Sequence, residues 1–257
     1  MGTVNRLVEP ASRKAGSVAR TAVGVSLSLP AALSVFIAAL LCAPVHAQFP
    51  HGTPAQAPEA FVLAVIDVET TGLEPGHHEM VDLGAIYTDL QGRELGRLFL
   101  RIRPDHPERA GEIARSINGY DEARWETLGA VSEAAAAGAF LDFHDSTVGG
   151  ATAVFTAYNA YFDRGFLDAF LKEEGHGGFR ELFSYFILDL PSLAWGAGVR
   201  DLRNAAVART VGLEPETDNP LEHTGLSGAQ WNVDLYRALS KHAAGNRRSP
   251  PRPSASD

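Results

Sequence analysis

The sequence predicts an α/β protein with a mixed sheet, three antiparallel strands first and helices packed around it. Three observations carry that expectation. Phe61–Ile66 (FVLAVI) is an unbroken apolar run of strand formers, the pattern of a strand buried on both faces. Met80–Leu90 and Leu95–Ile102 read as two strands joined through Gln91-Gly92, a hairpin arrangement. From residue 107 onward, helical stretches alternate with short strands, which is the grammar of a sheet with helices laid over it.

The elements follow in order. Pro107–Asn118 and Val131–Phe143 read as helices. Ala151–Ala157 reads as a strand running into a helix from Tyr161 to Glu174, stopped near Gly175. Phe186–Leu190 is a short strand before another helical stretch. Leu202–Val211 is helical up to Gly212, and Leu226–His242 forms the last helix. Together they bound a folded unit over residues 61–242, a size suited to a single core.

The flanks read differently. A basic region ending at Arg20, the uncharged run Ala22–Ala43 and the small residues of Val45-His46-Ala47 describe a secretory signal cleaved after Ala47. The run over residues 22–43 is almost long enough to serve instead as a retained membrane anchor. Either would place the protein outside the cytoplasm, in the periplasm or the medium, or at a membrane; without such a segment it would be cytoplasmic. Gln48–Ala60 is a Pro/Ala linker, and Ala243–Asp257 is a Pro/Ser/Arg tail expected to be disordered.

Composition narrows the function classes. Net charge is −9, and residues 1–47 carry four basic residues and one acidic, so the rest holds 18 basic and 30 acidic residues. A body that acidic is ill suited to coating duplex DNA through a broad basic patch. It does not exclude a nucleic-acid enzyme whose carboxylates hold metal ions, because the ions supply the local positive charge. The sole cysteine, Cys42, lies in the apolar run, so residues 48–257 offer no disulfide partner, no Cys-based zinc site and no thiol nucleophile.

Three segments carry chemistry. Asp67-Val68-Glu69-Thr70-Thr71-Gly72-Leu73 follows the buried strand directly, and residues i and i+2 of an extended chain face one side. Asp67 and Glu69 therefore present two carboxylates together, which repel unless a cation separates them; hard oxygens suit Mg²⁺ or Mn²⁺. Thr71-Gly72 lets the backbone approach a ligand closely. Ala157–Leu167 follows another strand and sets Asp163 in a first helical turn. Glu222–Ala229 places His223 in a loop at a helix start, where an imidazole can act as a general base near neutral pH.

In this order the segments resemble the DEDDh family of 3′–5′ exonucleases, over about Phe61 to Leu239. The resemblance rests on D-x-E-T-T-G-L at Asp67–Leu73, N-A-x-F-D at Asn159–Asp163, the Leu188-Asp189 segment and the His223 region. It implies a ribonuclease H-like fold and in-line hydrolysis supported by two divalent ions, Mg²⁺ or Mn²⁺. Asp67 would bridge both ions, Glu69 would hold one, Asp163 would act through the second or its waters, and His223 would deprotonate the attacking water. Thr71 and Leu73 would meet the terminal nucleotide, and Asn159 would support the site. The implied partner is the 3′ end of single-stranded DNA or RNA, splayed into a pocket.

One departure stands out. The family's fourth carboxylate lies five residues after the histidine, and that position is Gly228 here. Asp234 lies nearly two turns further on, and Ser227 and Glu222 lack the spacing. The sequence therefore reads as a 3′–5′ exonuclease impaired at Gly228. The alternative is a nucleic-acid or nucleotide-binding module of the same fold that has lost turnover. A carboxylate restored at position 228 is expected to tighten metal binding and to raise the rate at least about tenfold.

Overall fold

A computed structural model describes residues 52–248 of the chain. The segment 1–47 expected as a signal or anchor lies outside the described residues, as do residues 249–257 of the expected tail. Among the described residues no helix is long and apolar enough to cross a membrane.

Six strands form one sheet: β1 (Phe61–Thr70), β2 (Met80–Thr88), β3 (Glu94–Arg103), β4 (Val131–Ser132), β5 (Thr152–Ala157) and β6 (Leu188–Asp189). Their spatial order is β4-β3-β2-β1-β5-β6. The first three are antiparallel neighbours, whereas β5 joins β1 in parallel and β6 joins β5 in parallel. The run Phe61–Ile66 thus becomes part of a central strand flanked on both sides, as its unbroken hydrophobicity requires.

Among the described residues eight helices surround the sheet: α1 (Glu112–Asn118), α2 (Glu122–Thr127), α3 (Glu133–Val148), α4 (Ala160–Glu173), α5 (Phe179–Leu182), α6 (Leu190–Gly196), α7 (Asn204–Val211) and α8 (Gly225–Arg248). Alternate residues of β1 feed two cores. Val62, Ala64, Ile66 and Val68 join a large cluster with Phe140 of α3 and Phe166 and Phe170 of α4. Leu63 and Val65 face the other way and pack against Ala229 and Val233 of α8. Asp67 and Glu69 continue this second series, so the side-chain period of two carries both carboxylates onto the α8 face.

Helix α8 sits unusually close to the sheet. A Cβ on Gly84 would overlap the backbone of Gly225 and Leu226, and one on Gly225 would fall 2.5 Å from the Asp67 carbonyl oxygen. The helix start is fixed from both sides. Thr224 and Ser227 exchange capping bonds, Ser227 N donating to Thr224 Oγ1 at 3.2 Å and Thr224 N to Ser227 Oγ at 2.9 Å. Asp82 Oδ1, from β2, accepts from Gly225 N at 2.8 Å.

The structure differs from the sequence reading at several boundaries. The stretch 107–118 is not one helix: a 3₁₀ turn at Pro107–Arg109 is followed by α1, and Gly111 N between them donates to Thr71 O. Helix α2 was not expected; Asp121 caps it by accepting from Arg124 N at 2.9 Å. Residues 131–132 pair with β3 instead of opening a helix, because Ser132 caps α3 one residue later. Helix α8 runs to Arg248, past the boundary at His242 where the tail was expected to begin.

Candidate active site

The site lies where β1 leaves the sheet. Pairing with β2 slips between Glu69 and Thr70, whose partners are Asp82 and Met80. The extra residue, Val81, packs with Tyr120 and Trp125, and its carbonyl accepts from Trp125 Nε1 at 2.7 Å. Bulges of this kind re-aim neighbouring side chains beside functional sites. The loop that follows is stitched down: Thr71 N donates to Glu79 O, Glu79 N donates to Thr71 Oγ1, and Asn118 Nδ2 donates to Thr70 O.

The structure brings four sequence-predicted residues together. Asp67, Glu69, Asp163 and His223 converge from β1, the first turns of α4 and the loop before α8. Asp163 is buried, with Oδ1 accepting from Val68 N at 3.1 Å. His223 Nδ1 lies 2.9 Å from the Thr217 carbonyl, which can only accept, so the proton sits on Nδ1 and Nε2 faces the carboxylates. That Nε2 stands 3.0 Å from Glu69 Oε1 and 3.8 Å from Glu216 Oε1.

Glu216 was missed from the sequence. It comes from the loop between α7 and α8, seven residues before the histidine, where no motif spacing marks it. Asn204, opening α7, holds it twice: Asn204 Nδ2 donates to Glu216 Oε2 at 3.1 Å, and Glu216 N donates to Asn204 Oδ1 at 3.3 Å. Its other oxygen, Oε1, is buried with no hydrogen-bond partner. Buried polar atoms are nearly always paired, so this one is available to a ligand.

The electrostatics agree. Burial, then the charges of Asp163, Glu216, Glu69 and Asp82, hold the Asp67 carboxyl well above the usual carboxylate range. Burial pushes Asp163 to about 8, and raises Glu216. Asp82, fully buried beneath Glu69, is pushed to about 8 by burial and by the Glu69 charge. His223 is raised to about 9, chiefly by its hydrogen bond to Glu69. The protonated His223 ring is the cation that stands within 3.8 Å of Glu69 and Glu216.

Hard, mutually repelling oxygens with one left unpaired are a donor set for divalent cations. The cage is not closed as it stands: among the described residues no three His, Cys, Asp or Glu side chains are arranged to hold a metal ion. Glu69 is turned to His223, Asp163 Oδ1 is engaged by the backbone, and Glu216 Oε2 is engaged by Asn204.

A pH dependence follows. In the fold, Asp67, Asp82 and Asp163 keep protons that the unfolded chain gives up near its ordinary value of about 4. Stability of the metal-free protein therefore falls as pH rises from about 4 towards 8. His223 acts in the same direction, since its contribution is complete below about 6.5 and fades as pH rises through about 9. Divalent cations bind the ionised carboxylates, so the rise in Tm caused by Mg²⁺ should be larger at about pH 8 than at about pH 5.5. A Mg²⁺-induced shift independent of pH would contradict this reading.

The structure revises Gly228. Its backbone is ordinary helix, but a Cβ there would overlap Asp67 Oδ2, lie 2.6 Å from Asp67 Cγ and lie 2.9 Å from Glu216 Oε1. Position 228 is glycine because the Asp67 and Glu216 carboxylates occupy the space a side chain would need. A carboxylate restored at 228 would therefore have to displace the Asp67 and Glu216 side chains before it could join the site. Ser227 is committed to capping α8, and Asp234 is engaged by Arg237 and Gln230 on the outer part of that helix.

The three substrate-binding candidates part company. Leu73 is 79% exposed and lines an apolar groove of about 460 Å³ together with Glu69, Thr70, Ile113, Ile117 and Phe162. Thr71 does not: its side chain is fully buried and its oxygen is used by Glu79 N, so it holds the loop in shape. Asn159 is exposed and touches none of the carboxylates. It is the one non-glycine residue with positive φ (68°) among the described residues, turning the chain from β5 into α4 so that Asp163 points inward. Asp189 secures the same turn, accepting from Ala160 N and from Ser192 N.

Left-handed backbone disfavours most side chains, while asparagine and glycine tolerate it. Asn159→Ala should cost about 1 kcal/mol in urea denaturation and Asn159→Gly distinctly less. Equal losses would show that the side chain, not the turn, is what matters.

No protein-family model and no curated protein matches the chain. Solved structures do. A structure of exonuclease I, described as suggesting how processivity is achieved, superposes with a TM-score of 0.57 at 15% identity, covering 70% of this chain and 40% of that one. The chain shares the fold of exonuclease I. E. coli exonuclease I in complex with a dT13 oligonucleotide gives 0.58 at 14% identity over 73% of this chain and 42% of that one. The zinc-bound form of the E. coli exonuclease I–single-stranded DNA complex gives 0.57 at 15%, over 70% and 40%. This chain thus spans about two fifths of the length of the exonuclease I chains it resembles.

Proposed function

We propose that the protein is a 3′–5′ exonuclease that hydrolyses the terminal phosphodiester of single-stranded nucleic acid with Mg²⁺ or Mn²⁺. The observation that carries this reading is the convergence of Asp67, Glu69, Asp163 and His223 beside an apolar groove that shares Glu69 with them. The exonuclease I complexes with single-stranded oligonucleotides, one of them holding zinc, support it at the level of fold.

Asp67, Glu69 and Asp163 would hold the cations. Two divalent ions stabilise the attacking and departing oxygens of an in-line displacement. The chain's own contributions are separable from that. Leu73, Ile113 and Phe162 offer apolar faces on which the terminal base can stack, which orients the scissile bond towards the carboxylates. His223 Nε2, with Nδ1 anchored to Thr217 O, would take a proton from the attacking water once Glu69 has turned to a cation and no longer holds the ring protonated. The absence of a carboxylate at Gly228 favours the second reading, a binding module without turnover. An export signal or anchor over residues 1–47 would put either version outside the cytoplasm, and without one it would be cytoplasmic; N-terminal sequencing of the mature protein tests that.

The deciding experiment uses one single-stranded oligonucleotide labelled at either end, with Mg²⁺ or Mn²⁺. A 3′–5′ exonuclease releases 3′ label at once as mononucleotide and shortens 5′-labelled strands stepwise. Binding with no cleavage would support the module, and early release of 5′ label would overturn the polarity.

A further inference from the structure

Gly228 removes a carboxylate at one place, and the fold supplies one at another. We infer that Glu216 is a metal-holding residue of this site, standing in for the carboxylate that Gly228 cannot carry, with Asn204 as its positioning residue. The inference rests on the nuclease reading above and adds a residue to it.

Three observations meet on Glu216. Its Oε1 is buried with no hydrogen-bond partner, facing His223 Nε2 at 3.8 Å, while its Oε2 and its backbone N are both tied to Asn204, so one oxygen is anchored and the other can turn to a ligand. That free oxygen and the Asp67 carboxylate crowd the same point, the space where a side chain on residue 228 would begin. The same loop contributes Thr217, whose carbonyl sets the tautomer of His223. A loop of two consecutive residues thus supplies one carboxylate and orients the imidazole, and glycine at 228 clears the way for both.

A structural carboxylate is a different thing and makes a different prediction. Glu216→Gln keeps an amide oxygen that can still accept from Asn204 Nδ2, so a residue needed only to hold the loop would be replaced silently. A ligand would not, because the neutral amide is a far poorer partner for a divalent cation. The test is calorimetric titration of the full chain with Mn²⁺ alone, with no nucleic acid present. Parent, Glu216→Gln, Asn204→Ala and Asp67→Asn are compared, each with its thermal unfolding recorded.

The expected result is Mn²⁺ binding by the parent that weakens at least tenfold in Glu216→Gln, at a metal-free Tm no lower than the parent's. Asn204→Ala should show a smaller loss, since the oxygen remains but is no longer held. Mn²⁺ binding lost in Asp67→Asn but unaltered in Glu216→Gln would overturn the assignment of Glu216 and leave the nuclease reading intact. No Mn²⁺ binding by the parent would overturn both.

Discussion

Asp67→Asn is expected to lower the rate of cleavage of a single-stranded 3′ end at least about a hundredfold, about 2.7 kcal/mol of transition-state stabilisation. The same change should raise the Tm of the metal-free protein. The two effects have one cause. Asp67 is pressed by Asp163, Glu216, Glu69 and Asp82 in a buried setting, so its charge opposes folding while no cation is bound and serves catalysis once one is. A neutral side chain of the same shape removes both consequences, with the Gly228 contact preserved. Loss of activity accompanied by loss of stability would place Asp67 in the framework instead of the reaction.

Gly228→Asp should weaken the fold by at least about 2 kcal/mol, measured by urea denaturation, and should bring no gain in rate. The Cβ alone overlaps the Asp67 carboxylate, and the added charge faces Asp67 and Glu216. Relief would require the Asp67 and Glu216 carboxylates to turn away from their buried positions, because Gly84 and Gly225 hold α8 close to the sheet and Asp82 caps the helix. Gly228→Ala should fail in the same direction by a smaller margin, because it introduces the overlap without the charge. A Gly228→Asp protein that folds normally and cleaves tenfold faster would show that the Asp67–Gly228 contact is not a constraint.

Much of this architecture was legible in the residues. The run Phe61–Ile66 specified a strand buried on both faces, and the period of two then placed Asp67 and Glu69 on one side, where the structure has them facing α8. The hairpin of β2 and β3 and the β5–α4 unit with Asp163 in its first turns follow from patterns a few residues long. What was not legible depends on contacts distant in sequence. Glu216 has no spacing relative to His223 that marks it, and its placement depends on a bond to Asn204, twelve residues away and on another helix. Gly228 read as a missing ligand because nothing in the local sequence shows that Asp67 fills its side-chain space. Thr71 sits in the most recognisable motif of the chain, yet its hydroxyl is consumed by Glu79 in a loop closure visible only in three dimensions.

The site at the end of β1 is the central claim, and anomalous scattering from crystals of the full chain soaked in Mn²⁺ tests it most directly. The account predicts manganese peaks at ligating distance, about 2.1 Å, from Asp67 and Glu69, with Asp163 and Glu216 completing the oxygen set. Manganese bound elsewhere, with the Asp67 and Glu69 oxygens free of metal, would contradict it.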